Sequence, residues 1–270
     1  MSLRSQVGDG RRRVLSALYR RVVPLGASGP IITFSFDDFP RTALTIGAAI
    51  LESFGARATY YVAMSLMNTR SDLGEQFRQE DLASALDRGH ELASHTFSHI
   101  SARRVSCEMF EHDLEKGEHA IREKIGLLGS ANFAYPYGEV TLRAKKKLGP
   151  KLMSCRGTCS GLNGPDVDLN LLLANSLYGD LDRADSAKRL ILENEEQGSW
   201  LIFYSHDVAP KPSRFGCTPR LLEAICSFAA VRHTRFMTVA QVMKELGQRN
   251  PRSDENLQAG NSAPRQTLVT

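Results

Sequence analysis

The sequence predicts an α/β protein of seven or eight βα units, enough for a closed or nearly closed barrel. Short apolar runs rich in β-forming residues alternate with longer stretches of helical hydrophobic spacing. The 270 residues suit one sizeable domain, and neither an internal repeat nor a Pro-, Ser- or Gly-rich linker divides them. Because alternating strands and helices form parallel sheets, the alternative architecture is a doubly wound open sheet.

The strand and helix candidates follow one another in strict order. The first strand, 31–36, is a short, largely apolar run rich in β-forming residues, of the kind that is buried on both faces of a parallel sheet. The third helix keeps its apolar residues on one stripe. Further strands are predicted at 58–63, 91–94, 132–135, 152–155, 172–176, 201–205 and 236–238. Helices are predicted at 43–54, 79–87, 106–125, 140–148, 184–196, 219–229 and 239–246.

The two ends of the chain are expected to lie outside the domain. Residues 1–28 form a basic arm, residues 29–247 the domain, and residues 248–270 a polar, disordered tail. The apolar stretch of the arm is too short for a signal segment or a membrane span, so we expect a solvated leader helix or a frayed arm. A basic amphipathic helix lying on a membrane is the alternative.

The net charge and the cysteine content limit the binding partners and the cellular compartment that we expect for this protein. A net charge of +4 is too small to indicate a nucleic-acid partner. The five cysteines form no disulfide framework, which favours a reducing compartment. We therefore expect a cytoplasmic protein without an integral membrane segment, with export or association with a membrane surface as alternatives. The oligomeric state stays open.

Two motifs at the carboxyl ends of predicted strands carry metal-binding residue types. Asp37 and Asp38 follow the first strand, and His95 and His99 follow the third. On a helical turn, a spacing of four residues puts both imidazoles on one face. Two imidazoles and one carboxylate make a facial ligand set for a divalent metal. Taken singly, each motif is equally a strand-ending turn or a pair of surface histidines.

Two later motifs also lie at the carboxyl ends of predicted strands, where α/β folds keep their chemistry. Tyr137 follows the fourth strand, where its ring could wall a sugar-sized pocket and its N–H could face an oxyanion. His206 follows the seventh and is well placed as a general acid. Alone, these are an ordinary turn and a capping histidine.

The order of the four motifs resembles the polysaccharide deacetylase family, also called the NodB-homology domain or carbohydrate esterase family 4. Family motifs of the form T-F-D-D, H-[ST]-x-x-H, R-x-P-[YF]-G and [LIV]-x-H correspond to residues 35–38, 95–99, 134–138 and 204–206. The resemblance covers roughly 29–247. It implies a distorted, partly open (β/α) barrel that hydrolyses an N- or O-acetyl group from a sugar, with an acetylated saccharide as partner.

The resemblance also implies roles for individual residues. Asp37 would be the catalytic base, His206 the acid that protonates the leaving amine, and Tyr137 the donor of an oxyanion N–H. The ligands of a divalent metal would be Asp38, His95 and His99. Zn²⁺ is the expected ion, and Co²⁺, Ni²⁺ or Fe²⁺ would fit the same ligands.

The motif that holds the family's arginine departs from the pattern. The arginine that orients the base is replaced by Ala134, and we expect Arg156, just after the next strand, to take its place. Phe39 replaces the usual glycine after the two aspartates, which predicts a bulkier mouth.

The motifs around the last histidine depart as well. Tyr204 replaces an apolar residue, so the acetyl methyl group would use Leu201 or Phe203. The further acidic motif is reduced to Asp166 or Asp168, either of which could pair with His206 or be a turn residue.

Three functions are therefore open. The first is a metal-dependent deacetylase of an N-acetylated sugar or polysaccharide. The second is a related hydrolase of another linear amide or of an O-acetyl ester. The third is a catalytically impaired carbohydrate-binding protein, which the missing arginine favours and the intact base and acid oppose.

Overall fold

A curled sheet of parallel strands forms the centre of the molecule. The computed structural model describes residues 14–26, 29–126, 130–232 and 234–249. Its strands are β1 (Val22–Pro24), β2 (Ile31–Asp37), β3 (Ala58–Val62), β4 (Arg70–Ser71), β5 (Gly74–Glu75), β6 (Glu91–Ser94), β7 (Ser130–Ala134), β8 (Ser154–Arg156), β9 (Asp166–Asp168), β10 (Asn175–Ser176), β11 (Trp200–Ser205) and β12 (Arg235–Phe236).

Helices connect the strands and cover the outside of the sheet. A π-helical turn, Ala43–Ala48, leads directly into the first α-helix. The α-helices are α1 (Ala49–Ser53), α2 (Gln79–Asp87), α3 (Cys107–Ile125), α4 (Leu142–Leu148), α5 (Ala184–Gln197), α6 (Pro219–Ala230) and α7 (Val239–Arg249). None of the helices in the described part of the chain is both long and apolar enough to cross a membrane.

The sheet is a partly open barrel, which confirms the predicted fold class. Seven strands follow the order β10-β11-β2-β3-β6-β7-β8, all paired in parallel, and β12 joins the start of β2. Between the two ends, one parallel bridge joins Arg156 to Leu172. Each of the eight predicted strands overlaps one of these. The antiparallel pairs β1–β9 and β4–β5 were not predicted, because strands of two or three residues carry no readable periodicity.

Helix α7 closes the amino end of the barrel. The buried carboxylate of Glu91, at the start of β6, accepts hydrogen bonds from Thr59 Oγ1 (2.7 Å), Asn132 Nδ2 (2.8 Å) and the backbone N–H of Ala240 (2.8 Å). Helix α7 is thereby fixed by its first turn, whose N–H groups have no partner within the helix. Chemistry on this sheet must therefore lie at the opposite, carboxyl end of the strands.

Residues 14–26, assigned to the arm by the sequence, pack against the domain. Strand β1 pairs with β9, and Arg21 Nη2 donates to the carbonyl oxygens of Leu152 and Met153, each at 2.6 Å. The rest of the predicted arm, 1–13 and 27–28, lies outside the described residues, as do 250–270 of the predicted tail.

The side chain of Lys145 takes part in the packing of residues 14–26 against the domain. Lys145 is the first of three consecutive lysines, a pattern that predicts the solvated face of a helix, and for this residue that prediction is wrong. Its side chain is fully buried and donates to Asp168 (2.7 Å) and to the Leu15 carbonyl oxygen (2.8 Å). A buried ammonium needs such partners, because without them its desolvation is uncompensated.

Candidate active site

The two adjacent aspartates lie at the carboxyl end of the central strand β2. Consecutive strand residues point to opposite faces. At Asp38, however, the chain leaves the strand in a left-handed conformation, with φ 63°. Both carboxylates are almost fully buried. The turn gives the two side chains different neighbours, an arginine for Asp37 and two histidines for Asp38.

Phe39 stabilises this turn from inside the protein. The prediction that it makes the mouth bulkier is wrong, because its side chain has no exposed surface. Its ring packs 4.4 Å from the Tyr60 ring and 5.3 Å from the Phe77 ring, measured between centroids. Phe39 also has φ 63°, a conformation that costs a non-glycine residue about 1–2 kcal/mol. Burial of the aromatic ring offsets that cost.

His95 and His99 lie in an irregular loop after β6. The expected helical turn is absent from this loop, whose residues Thr96 and His99 have φ 63° and φ 51°. The loop nevertheless brings the two imidazole centroids within 4.9 Å of each other. His95 Nδ1 lies 2.7 Å from the carbonyl oxygen of Ala134, which can only accept, so Nδ1 carries the proton and Nε2 is left as the ligand atom.

Helix α3 holds the histidine loop in place through residues that carried no signal in the sequence. Asp113 accepts hydrogen bonds from the N–H and the hydroxyl of Ser98, both at 2.9 Å. Gly117 lies directly under the loop, and a Cβ atom there would be 2.8 Å from the Thr96 carbonyl carbon and 2.9 Å from the Phe97 nitrogen. Only a glycine lets the helix approach the loop backbone this closely.

Replacing Gly117 with alanine is expected to weaken metal binding by about tenfold, the lower end of the effect of displacing groups that support ligands. The added methyl group meets backbone atoms, which cannot rotate away, so the loop must shift. Alanine favours a helix more than glycine does, so a weaker helix would not explain the loss. Zn²⁺ affinity measured by competition with a chelator tests this, with Glu115→Ala on the exposed face of α3 as control. Equal affinity in Gly117→Ala and wild type would contradict it.

Asp38, His95 and His99 form a candidate metal site. One possible ligand atom from each lies within 4.8 Å of the others. Asp38 Oδ1 is 3.1 Å from His99 Nε2 and 3.7 Å from His95 Nε2. This oxygen is buried without a hydrogen bond within the described chain, and buried polar atoms rarely stay unpartnered. A cation between the three side chains would satisfy it, so the residues fit a divalent metal.

The protonation states suit metal binding. Burial lowers the pKa of His95 to about 3 and also lowers the pKa of His99, so both imidazoles are neutral at neutral pH. Burial raises the pKa of Asp38 to about 6, although the nearby His206 opposes this shift. At neutral pH the site therefore offers two neutral imidazoles and a largely ionised carboxylate, the forms that bind a metal.

Arg156 is the cation that faces Asp37. Its Nη2 lies 2.7 Å from both carboxylate oxygens, and both side chains are buried. Burial alone would raise the pKa of Asp37, but the Arg156 guanidinium, helped by His95 and His206, holds it below its ordinary value. Arg156 is the direct partner of Ala134 in the β7–β8 ladder. A guanidinium therefore reaches Asp37 from the strand next to position 134.

Two tyrosines enclose the Arg156 guanidinium. Its Cζ atom lies 4.8 Å from the ring centroid of Tyr61 and 5.1 Å from that of Tyr204, which is cation–π geometry. Tyr204 is therefore part of the arginine's surroundings. Leu201 and Phe203, the residues expected to receive a methyl group, are instead fully buried in the core, so that prediction is wrong.

His206 follows β11 and is half-buried. Its backbone N–H donates to the carbonyl oxygen of Phe215 at 3.1 Å, and its Nδ1 lies 3.2 Å from the same oxygen. Nδ1 therefore carries a proton, which leaves Nε2 for a substrate. The predicted carboxylate partners are elsewhere: Asp168 binds Lys145, and Asp166 is exposed in β9. The packing of the 206–217 loop orients His206 instead.

Tyr137 completes the site on the other side. It has φ 60°, and its side chain is 64% exposed, with the ring centroid 4.5 Å from that of His99. A ring this exposed beside a candidate metal ligand is available to contact a substrate. The structure thus brings all seven predicted site residues to the carboxyl end of the barrel.

Comparison with known proteins begins with a family model. Residues 26–151 match the model described as polysaccharide deacetylase. This segment carries the two aspartates, the two histidines of the candidate metal site and Tyr137, whereas Arg156 and His206 lie beyond it. No curated protein matches the chain.

Solved structures with the same fold include proteins that act on carbohydrates. The Xyl-CE4 domain of a multidomain xylanase from the hindgut metagenome of Trinervitermes trinervoides is 17% identical, with a TM-score of 0.54 over 82% of this chain and 92% of that chain. A family 4 acetyl xylan esterase from Clostridium thermocellum, in complex with a cobalt ion, is 18% identical, with a TM-score of 0.54 over 80% of this chain and 91% of that chain. The Bc1960 peptidoglycan N-acetylglucosamine deacetylase is 17% identical, with a TM-score of 0.55 over 81% of this chain and 90% of that chain.

At these identities the structural likeness concerns the fold alone, and the family assignment comes from the matched sequence. The matched segment also holds the ligand set that the structure assembles. In sequence, residues 26–151 of this chain match the polysaccharide deacetylase family.

Proposed function

We propose that this protein is a metal-dependent hydrolase that removes an acetyl group, in the first instance an N-acetyl group, from a sugar or polysaccharide. The observation that carries the proposal is the division between the adjacent aspartates. Asp38 faces two neutral imidazoles, and Asp37 faces a buried arginine. One carboxylate can bind a cation while its neighbour stays free to accept a proton.

The metal would be held by Asp38, His95 and His99, with Zn²⁺ as the first candidate and Co²⁺, Ni²⁺ or Fe²⁺ as alternatives. Bound there, a divalent cation polarises the acetyl carbonyl group and lowers the pKa of a water molecule. The three side chains bring one negative charge, so the site keeps a net positive charge. His95 is further fixed by its hydrogen bond to Ala134, which prevents the ring from turning away.

Asp37 would take the proton from the attacking water. Arg156 keeps this carboxylate ionised and fixes its direction through contacts to both oxygens. The backbone N–H of Tyr137 would donate to the oxyanion that develops on the acetyl group. His206 in its doubly protonated form would then give its Nε2 proton to the amine nitrogen and become neutral, because an amine cannot leave as an anion.

An O-acetyl ester is the second candidate substrate. Acetyl xylan esterase is among the proteins with this fold, and the same base and ligands would serve an ester. The hypothesis of a catalytically impaired carbohydrate-binding protein loses its main support, because Arg156 supplies the guanidinium that is missing at position 134.

The test is acetate release from N-acetylglucosamine oligomers and from an O-acetylated xylo-oligosaccharide. We expect release by the Zn²⁺-loaded protein, loss after dialysis against EDTA, and recovery when Zn²⁺ is returned. The recovery controls for unfolding during metal removal. Release that persists in metal-free protein would contradict the metal dependence. Metal-loaded protein that binds the oligomers but releases no acetate would support a binding function.

A further inference from the structure

The segment 14–26 carries several exposed apolar side chains. Val14, Leu18, Tyr19 and Val22 are each between 43% and 46% exposed, and we call these four residues the amino-terminal patch. Ten large apolar side chains are exposed in the described part of the chain, and four of them fall within these nine consecutive residues. Single exposed apolar residues are ordinary on a protein surface, whereas a concentration of them indicates an interaction site.

The local structure of the segment turns the patch away from the domain. The N–H of Leu18 donates to the carbonyl oxygen of Val14 at 3.1 Å, so these two residues lie one helical turn apart on the same face. Leu15, on another face of that turn, is buried. Val22 opens strand β1, where exposure alternates, and its neighbour Val23 packs against the core.

Hydrogen bonds to the domain hold the patch in place. The N–H of Arg21 donates to Asp168 at 3.0 Å, and Asn170 Nδ2 donates to the carbonyl oxygen of Tyr19 at 2.9 Å. The Arg21 guanidinium contacts the two residues that precede β8, at the amino end of that strand. The segment is therefore fixed at the end of the barrel that is opposite the candidate active site, and the patch loses little conformational entropy when it binds.

The net positive charge of the chain is concentrated in the same region. Residues 1–26 contain six arginines and one aspartate, whereas the remaining 244 residues contain 28 basic and 29 acidic residues. The first 26 residues therefore carry a net charge of +5 and the rest of the chain −1. Three of the arginines, at positions 11, 12 and 13, directly precede Val14 in the sequence.

Cations also lie at the patch within the described structure. Lys146 is exposed, with its Nζ atom 5.5 Å from the ring centroid of Tyr19. Arg20 is 3.9 Å from Asp168, but the same carboxylate pairs with Lys145 at 2.7 Å. Two cations thus share one carboxylate, which leaves a net positive charge beside the apolar side chains.

We propose that the amino-terminal patch binds the protein to the surface of a membrane that contains anionic lipids. The apolar side chains enter the boundary between headgroups and acyl chains, while the arginines and Lys146 attract the lipid phosphate groups. A polyanion without acyl chains, such as a nucleic acid, would engage the arginines but leave the apolar side chains in water. The candidate active site, at the other end of the barrel, stays open to substrate.

Sedimentation of the full chain with lipid vesicles tests the proposal. We expect the wild type to bind phosphatidylglycerol vesicles and not phosphatidylcholine vesicles. Replacing Val14 and Leu18 together with serine should lower the partition coefficient about tenfold, because two half-exposed apolar side chains no longer leave water on binding. Replacing Arg11, Arg12 and Arg13 together with glutamine should lower it on the order of 10²-fold.

Matched controls make the same changes elsewhere on the surface. Replacing Leu192 and Val231 with serine removes one leucine and one valine that are 44% and 70% exposed. Replacing Arg70, Arg104 and Arg189 with glutamine lowers the net charge by the same three units at exposed positions. Both control variants should bind phosphatidylglycerol vesicles within a few-fold of the wild type.

Three results would overturn the proposal. The first is a wild type that does not bind phosphatidylglycerol vesicles. The second is equal binding by the Val14→Ser, Leu18→Ser variant and the wild type, since the arginines would then attract any polyanion without contact between the patch and lipid. The third is a dimer, seen by analytical ultracentrifugation, that this variant abolishes, because a second copy would then cover the patch. All measurements are made without a saccharide, so the outcome does not depend on the proposed function.

Discussion

Replacing Asp37 with asparagine is expected to lower the turnover number for acetate release by roughly 10²–10⁴-fold, the usual contribution of a general base. Asparagine has nearly the same shape but cannot accept the proton of the attacking water. The metal content should be unchanged, because Asp38, His95 and His99 are intact. Turnover measured with metal-loaded protein, together with elemental analysis, gives both values.

A reduced metal content in Asp37→Asn would mean that Asp37 is a ligand and not the base. Asp38→Asn is the matched control, since it should lose metal and activity together. Activity of Asp37→Asn within a few-fold of wild type would contradict the assignment of the base.

The same substitution removes the counter-charge of buried Arg156, and breaking a buried ion pair costs about 3–5 kcal/mol. A second variant, Asp37→Asn with Arg156→Met, removes both charges and should recover much of the lost stability in a thermal melt. It should stay inactive. A folded but inactive double variant separates the loss of the base from a loss of folding.

Replacing Arg156 with alanine is expected to lower turnover on the order of 10²-fold, the scale of a misplaced catalytic group. Without the guanidinium, burial disfavours the ionised form of Asp37, and nothing fixes the direction of the carboxylate. Metal should stay bound, because Arg156 contacts none of the three ligands in the described structure. Turnover and metal content are again the two measurements.

The β7–β8 ladder offers a sharper version of this experiment. Ala134 and Arg156 are direct partners in the ladder, so Ala134→Arg in the Arg156→Ala background returns a guanidinium from the neighbouring strand. The space left by Arg156 can receive it. We expect partial recovery of turnover. The positioning role would be contradicted by unchanged turnover in Arg156→Ala, or by loss of metal from that variant.

The sequence by itself determined the order of the eight strands of the barrel sheet and of the α-helices between them, to within one or two residues at most strand ends. This order follows from local patterns, because short stretches rich in apolar and β-forming residues alternate with helical hydrophobic spacing. Asp37, His95 and His206 could be expected at one edge because a parallel sheet brings its carboxyl strand ends together, whereas their roles were implied by the resemblance of the four motifs to a known family.

The tertiary structure decided which residues meet within that edge. Arg156 could be suggested from the sequence, but its contact with Asp37 depends on the register of β7 and β8 and on the rings of Tyr61 and Tyr204. Gly117 contacts a loop about twenty residues away in sequence, and a local sequence pattern cannot predict a contact over such a separation.

The sequence also did not predict correctly which individual residues are buried. Phe39 and Lys145 both looked like surface residues beside polar neighbours, yet both are fully buried. For Phe39 the cause is the left-handed turn, which sends the ring inward. For Lys145 it is the segment 14–26, which covers the ammonium and, with Asp168, supplies its partners. Side-chain partners depend on packing between distant segments, whereas strands and helices follow from neighbours along the chain.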